Sequence, residues 1–589
     1  MPDLPYPTPD ELQRAVDVAF GRVPGDLLLR DARLLNVFSG RIEPVDVLIA
    51  GPLIAAVGSL GEAEAGTVVD LGGAYVAPGL IDGHVHIESS LVTPGRYAEA
   101  VVPRGVTGVV CDPHEIANVA GVAGVRWLLA DTRSLPLDVW VTVPSCVPSS
   151  RLETAGAELG LGDIEDLLAE AWVVGVAELM SFPDVVAGDA EQLAKVALAE
   201  AVRKPVEGHA PGLRGRALQA YVAAGIGSDH ETTQLEEGRE KLAAGVFLMV
   251  REGSVTRDLD ALMPLVDPRH ADRIGFVTDD RLPNDLLDEG GVDTLVRRAI
   301  AAGVDPVYAV RCGSYNTALH YRLPRRGAVA PGYYADLVLL DDLDGFRAGR
   351  VYYHGRLIAA GGAMAEALPA ASADDTAVRA TVRIPALGSD AFRLPAPSRA
   401  GAEVRVIRPL PGQIVTEALT RTPTVLGGEV VADPTRDLVK LACVERHGRS
   451  GRIGLGLVNG LGLRRGALGS SVGHDHHNLM LAGVDDGDMR VAAARLEALG
   501  GGFVVVDDGA VLAELALDVA GLVSNAPIAD VRRDLDAVEA AARSLGVAES
   551  GAMMTLSFLG LAVIPALRLT DHGLVDVVAA RVVPFEVEP

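Results

Sequence analysis

The chain has 589 residues, 49% of them apolar and only 4% aromatic, with 52 Lys and Arg against 79 Asp and Glu for a formal charge of −27. So long and apolar a chain must bury large cores, which excludes disorder and sets two or three domains as the expectation. Its acidity is spread along the sequence rather than gathered in a tail, which disfavours nucleic acid and anionic membranes as partners and leaves a small neutral ligand open.

The N-terminus, MPDLPYPTPDELQRAV, lacks the basic-then-apolar pattern of a secretory signal. After an amphipathic start (Pro9 to Phe20) come short alternating apolar runs at Asp26 to Leu35, Val45 to Val57 and Thr67 to Val76. Divided by Gly, Pro and acidic turns, they predict a small antiparallel sheet. From Val76 apolar runs alternate with helical patterns. The predicted strands are Val76 to His86, Thr107 to Asp112, Asp138 to Cys146, Val173 to Met180, Pro205 to His209, Ile226 to His230, Val246 to Glu252 and Ile274 to Asp279. Helical spacing lies between them at Asp163 to Ala171, Ala190 to Val202, Leu213 to Ala223 and Thr232 to Ala244. Such a succession of β/α units argues for an α/β fold of the closed (β/α)8, TIM-like barrel type. A doubly wound sheet is the rival, but no GxGxxG follows the first strand.

Sheet-like texture returns at Ala335 to Asp341 and Arg350 to Gly361, placed to complete the first sheet because the ends of an inserted domain lie close together. The Ala-rich stretch Ala363 to Asp375 reads as a linker. Beyond it, strands (Ala402 to Ile407, Leu438 to Arg446, Arg452 to Val458, Gly502 to Val506) mix with helices (Asp488 to Leu499, Val531 to Leu545), as in a separate α+β domain. The uncharged run Gly551 to Leu567 is short and broken by Gly and Pro, so it reads as a buried strand and helix rather than a membrane span. Cys111, Cys146, Cys312 and Cys443 are far apart with no CxxC pair, which suits a reducing cytoplasm.

Chemistry concentrates at the strand ends. In Asp82-Gly83-His84-Val85-His86 the two imidazoles sit at i and i+2 on a strand and point to one face, where they can share a metal. Alone this HxH is weak, and each further residue has an ordinary reading as a loop acid or strand-end histidine. The coincidence discriminates: His84 and His86 end strand 1, Glu178 strand 4, His209 strand 5, His230 strand 6 and Asp279 strand 8. Barrel active sites are built at this C-terminal rim. Four imidazoles and two carboxylates suffice for two divalent cations with one carboxylate bridging.

The run Ala77 to His86, with Gly332, Ala335 and Asp336 downstream, resembles the amidohydrolase superfamily. More closely, HIESS (86–90), DPHEIANV (112–119), GHAPGL (208–213), SDHE (228–231), TDDR (278–281) and SSVGHDHHN (470–478) resemble the prokaryotic adenine deaminases, and the likeness runs on to SFLGLAVIPALRLTD near the C-terminus. The resemblance implies a barrel over 76–320, a small flanking β-sandwich from 22–75 and 321–365, and a C-terminal α+β domain over 366–589. It also implies hydrolysis of adenine to hypoxanthine and ammonia, with manganese or iron as the usual cation; zinc suits the donor set as well. Many amidohydrolases bridge two metals with a carboxylated lysine ending strand 4. This chain has no Lys before Lys195, so Glu178 must take that role if two metals are present.

For such a reaction a metal-activated water attacks C6, and Asp279 accepts its proton and delivers it to the leaving ammonia. Glu231 or Glu115 would serve N1, and whichever does so must be held protonated by burial near other carboxylates. Glu231 has a bland alternative as the N-terminal acid of the Thr232 to Ala244 helix. Asp112, His114 and Glu115 crowd the strand-2 rim and are candidate substrate contacts. The cluster His474, Asp475, His476, His477 and Asn478 is either a solvated loop or, as the resemblance favours, a loop over the mouth of its own or a neighbour's barrel, with His474, Asp475, His477 and Asn478 near the purine or the metals. The expected assembly is a homodimer or larger. Two alternatives stand beside adenine: an N6-substituted adenine or related aminopurine, and an inert amidohydrolase-like assembly protein. The latter should lack a ligand, whereas all six positions are filled.

Overall fold

A computed structural model describes residues 6–270, 272–369, 373–410, 413–548 and 551–587; residues 370–372 of the expected linker lie outside these. A parallel barrel forms its centre. The strands are Leu80–His86, Val106–Cys111, Asp138–Val143, Val173–Leu179, Val206–Gly208, Ser228–Asp229, Phe247–Arg251 and a last one interrupted at Thr278, Ile274–Val277 and Asp279–Asp280. Asp279 and Asp280 pair with Val85 and His86, bringing the eighth strand onto the first. Between the fifth and sixth, Gly227 N–H reaches Val206 C=O at 3.1 Å. The strands are Val-rich and buried along nearly their whole length, as a parallel sheet covered on both faces requires.

The run Val76 to His86, expected as one strand, is two. Tyr75–Pro78 belongs to an outer sheet, where it pairs with Leu337–Leu340 and with Arg33 and Leu34. Leu80–His86 enters the barrel. Gly79 is the pivot: a Cβ there would stand 2.0 Å from Thr107 Oγ1, so no larger residue fits where the chain passes from one sheet to the other.

The outer sheet joins both flanks of the barrel in the order Ala363–Met364, Arg356–Ala360, Ala348–Tyr353, Leu337–Leu340, Tyr75–Pro78, Gly25–Asn36, Arg41–Ala50 and Leu53–Gly58. It is not wholly antiparallel as predicted. Gly25–Asn36 pairs in parallel with Ala65–Asp70 and Tyr75–Pro78, because the chain turns back through Leu53–Gly58 before re-entering the sheet in its original direction.

The C-terminal part is built on an eight-stranded sheet with helices Asp486–Leu499 and Ile528–Ser544 packed against it. The segment 551–567 forms the helix Ala552–Phe558 and then the start of the strand Leu567–Thr570. No helix among the described residues is long and apolar enough to cross a membrane. This part rests on the rim of the barrel. Ser524 exchanges backbone bonds with Leu91 and Thr93 at 2.9 and 3.0 Å, Thr570 Oγ1 donates to Leu152 C=O at 2.6 Å, and Asp571 Oδ1 accepts from Thr154 N–H at 2.9 Å. The loops after the first and third barrel strands are thereby covered.

Candidate metal centre

Alternation along Leu80–His86 turns His84 and His86 into the barrel mouth, and Glu178, near the end of Val173–Leu179, projects to meet them. Glu178 divides its two oxygens. Oε1 lies 4.0 Å from His84 Nε2, 3.5 Å from His86 Nε2 and 3.4 Å from His114 Nδ1. Oε2 lies 2.5 Å from His209 Nδ1 and 3.3 Å from His230 Nε2. His209 follows the fifth strand directly and His230 the sixth, so short strands place both rings at one height. Asp279 Oδ1 completes the first group at 3.1 Å from His86 Nε2 and 3.7 Å from His84 Nε2. The backbone at Asp279 is left-handed (φ 57°), which turns its carboxylate inward from the break in the last strand.

The donor set fits divalent cations. Among the described residues His84 Nε2 is buried with no hydrogen-bond partner, and His84, His86 and Asp279 converge in one group while His84, Glu178 and His230 converge in another. Imidazole and carboxylate donors of this kind suit a borderline transition metal. Burial raises the Glu178 carboxyl, but His209 and His230 outweigh it and hold the group well below the usual carboxylate range. For Asp279 burial is likewise overcome, by His86 and by Arg251.

Several residues that complete this cluster escaped the sequence reading. Glu207 is wholly buried and accepts from His84 Nδ1 at 2.7 Å, leaving Nε2 for a metal. Burial pulls the His84 imidazole down, yet Glu207 carries it up to about 8. The signal was present in VEGH: Glu207 and His209 are two apart. Arg251, ending the seventh strand, bonds Glu231 and reaches Asp279 Oδ2 at 2.8 Å and Asp258 Oδ2 at 3.1 Å. Glu88, two residues beyond His86, accepts from Ile116 N–H at 3.2 Å, and burial pushes its carboxyl up to about 7.

The expected proton donors differ from expectation. The predicted helix Thr232 to Ala244 starts only at Leu235, so Glu231 is no N-terminal helix acid; it lies 3.6 Å from His230 Nε2 and is bound to Arg251. Both Glu231 and Glu115 are buried, which alone raises a carboxyl, but the raised values expected from crowding with other acids are not found. Arg251, then His209 and His230, bring Glu231 below its ordinary range. For Glu115, His474 and His477 do the same more strongly. Basic side chains, not carboxylates, are the nearest neighbours of each: Arg251 for Glu231 and the imidazoles of His474 and His477 for Glu115.

The loop 474–478 is buried rather than solvated. It approaches the barrel of its own chain. Glu115 Oε1 meets His474 Nδ1 at 2.5 Å and Oε2 meets His477 Nε2. Asp475 Oδ1 lies 3.6 Å from His114 Nε2, and Asn478 Nδ2 donates to Thr154 C=O at 2.9 Å. Asp112 orients His114 through Nδ1 at 2.8 Å, and its own carbonyl accepts from His86 Nδ1 at 2.9 Å. His476 points elsewhere: its Nδ1 accepts from Asn478 N–H at 2.8 Å, and the ring fills the space a Cβ on Gly560 would take, 1.9 Å from Nε2. Arg446, buried without a carboxylate partner among the described residues, donates to the carbonyls of His477 and Ala520 and ties the loop to its domain.

Two family models match this chain: the amidohydrolase family over residues 75–382 and the adenine deaminase C-terminal domain over residues 413–581. Among similar proteins, adenine deaminase 2 of Carboxydothermus hydrogenoformans is 44% identical over 570 residues, covering 97% of this chain and 98% of that protein. The adenine deaminase of Nitratidesulfovibrio vulgaris Hildenborough is 48% identical over 569 residues, 96% of this chain and 97% of that one. That of Oleidesulfovibrio alaskensis is 46% identical over 565 residues, 95% and 96% of the two chains.

Proposed function

The chain belongs to the adenine deaminase family of the amidohydrolases, and on that premise we propose that it hydrolyses adenine to hypoxanthine and ammonia at the cluster around Glu178. The observation that carries this reading is the division of Glu178 between two sets of imidazoles. His84, His86 and Asp279 would hold one divalent cation and His209 and His230 a second, with Glu178 between them; manganese is the first candidate. Cations bound there would supply Lewis acidity, which brings the pKa of a water toward 7.

The remaining work belongs to side chains. Asp279 is an ionised acceptor, held by His86 and Arg251, and takes the proton of the attacking water. As the C6–N6 bond breaks, it returns that proton to the departing nitrogen, and the C6 hydroxyl releases the second water proton, which replaces the one delivered to N1, so adenine and water leave as hypoxanthine and ammonia. Protonation at N1 falls to the Glu115–His474 pair. Glu115 is an anion here, while His474, drawn down by burial, is pushed well above its ordinary range by Glu115 and so carries the proton to be relayed. Arg251 fixes Glu231 as a carboxylate beside His230, which makes Glu231 a positioning residue. His114, Asp475, His477 and Asn478 join the C-terminal loop to the barrel and shut water out.

Purified chain supplied with manganese should convert adenine to hypoxanthine with release of one ammonia per turnover, and faster than N6-substituted adenines or other aminopurines. A folded protein holding two metal ions per chain with no turnover of adenine would overturn the assignment.

A further inference from the structure

The two imidazole groups are held by different means. His84 is fixed by Glu207 through Nδ1 and, at its backbone, by Asp82, whose Oδ1 also accepts from Thr278 N–H at 3.1 Å, next to Asp279. His209 and His230 have little sheet to hold them. The fifth and sixth strands, Val206–Gly208 and Ser228–Asp229, are three and two residues long, and each ring belongs to the residue just past its strand. Strands so short cannot by themselves fix two side chains beyond their ends.

A buried polar cluster does so instead. Lys241, on the helix Leu235–Ala243 that follows the sixth strand, is only 1% exposed. Its ammonium donates to Asp229 Oδ2 at 2.9 Å, Glu237 Oε1 at 2.7 Å and Ala210 C=O at 2.7 Å, with Thr232 Oγ1 at 3.1 Å. Asp229 Oδ1 accepts from Ala210 N–H at 2.8 Å. Both backbone groups of the residue after His209 are therefore bound either by the residue before His230 or by its lysine. On the other side the Tyr221 hydroxyl accepts from His209 N–H at 3.1 Å and donates to Leu179 C=O at 3.3 Å, beside Glu178. Burying an ammonium is costly unless its protons are all bound, and this one directs them to the two strand ends.

On the reading that Glu178 lies between two cations, we propose that Lys241, acting with Asp229 and Tyr221, is a positioning residue that sets the spacing of His209 and His230 and so governs the second cation without the first. Among the described residues the bonds of Lys241 and Tyr221 run to the ends of the fourth, fifth and sixth strands and to the segment after the sixth, away from the first and eighth strands that carry His84, His86 and Asp279. Metal ligands tolerate only small displacements, so a loosened Ala210 or His209 backbone is felt at the ion.

Titration of the metal-free proteins with manganese against a chelating indicator tests this. The parent should bind two ions. In Lys241→Met one binding constant should fall at least about ten-fold while the other stays within about three-fold of the parent, and the constant that falls should not be the one lowered by Glu207→Ala. At two equivalents the paramagnetic resonance spectrum should change from that of a coupled manganese pair to that of isolated ions, and melting of the metal-free proteins reports folding separately. Tyr221→Phe deletes a hydroxyl and no charge, should lower the same constant about three-fold or more, and decides the matter if K241M does not fold. Folded K241M with both constants at the parent values, or with both lowered alike, would overturn the proposal, as would Y221F with the parent constants. A parent that binds a single ion would overturn the two-cation reading, and this proposal with it.

Discussion

Replacing Glu207 by Ala removes a carboxylate that touches no substrate and reaches the cluster only through His84. The bond lost is 2.7 Å long and lies between two fully buried groups. It has two effects. It fixes the tautomer with the proton on Nδ1, so that Nε2 presents a lone pair, and its charge makes the ring a better donor. The second effect is visible in the imidazole itself: burial draws His84 down, yet Glu207 lifts it to about 8. Outer carboxylates of this kind typically change metal affinity by about 10- to 100-fold, or about 1.4 to 2.7 kcal/mol. E207A should therefore bind manganese that much more weakly in competition with a chelating indicator. Glu207→Gln should fall between, since it can still accept from Nδ1–H without the charge. Melting of the metal-free proteins separates this from misfolding. Folded E207A that holds metal as tightly as the parent would refute the argument that His84 needs its carboxylate.

Arg251→Met leaves Glu231, Asp258 and Asp279 without their shared cation; an unmatched buried charge costs about 3 to 5 kcal/mol, to be read as a lower urea midpoint of the metal-free protein. Glu153 is raised by burial to about 8, so its folded carboxyl holds a proton that the unfolded chain gives up near pH 4.5. Its unfavourable contribution thus grows as pH rises from about 4.5 to about 8, and Glu153→Gln should stabilise the protein at pH 9 but not at pH 4, measured by melting temperature. Gly560→Ala places a methyl against His476; the displaced ring must disturb the 474–478 loop, and kcat/KM for adenine should fall at least ten-fold, an overpacking effect of about 1 to 3 kcal/mol, with metal content unchanged.

Much of this molecule was legible in the residues. The β/α alternation located each barrel strand to within a few residues, since parallel strands buried on both faces read as continuous apolar runs. Boundaries failed where packing between distant segments decides them: Gly79 divides one apolar run because Thr107 stands against it, and the helix after His230 begins late because Glu231 turns back to Arg251. The six proposed ligands were picked out by their common place at strand ends. Glu207, Arg251 and Glu88 carried no such mark, for they act on groups far away in sequence: Glu207 meets His84 across 123 positions.

Composition, periodicity and the strand-end histidines and acids determine by themselves that a barrel forms and which strand ends carry the converging histidines and acids, because these are local properties of each β/α unit. The scarcity of lysine likewise leaves a carboxylate, Glu178, between the two imidazole groups. Protonation was decided only by the tertiary structure. Glu115 and Glu231 are buried as expected, but a histidine pair brought from the C-terminal part and an arginine from the seventh strand hold both carboxyls below their ordinary range. A carboxyl's charge depends on which cations fold against it, and that distance is set by the packed chain, not by the order of its residues.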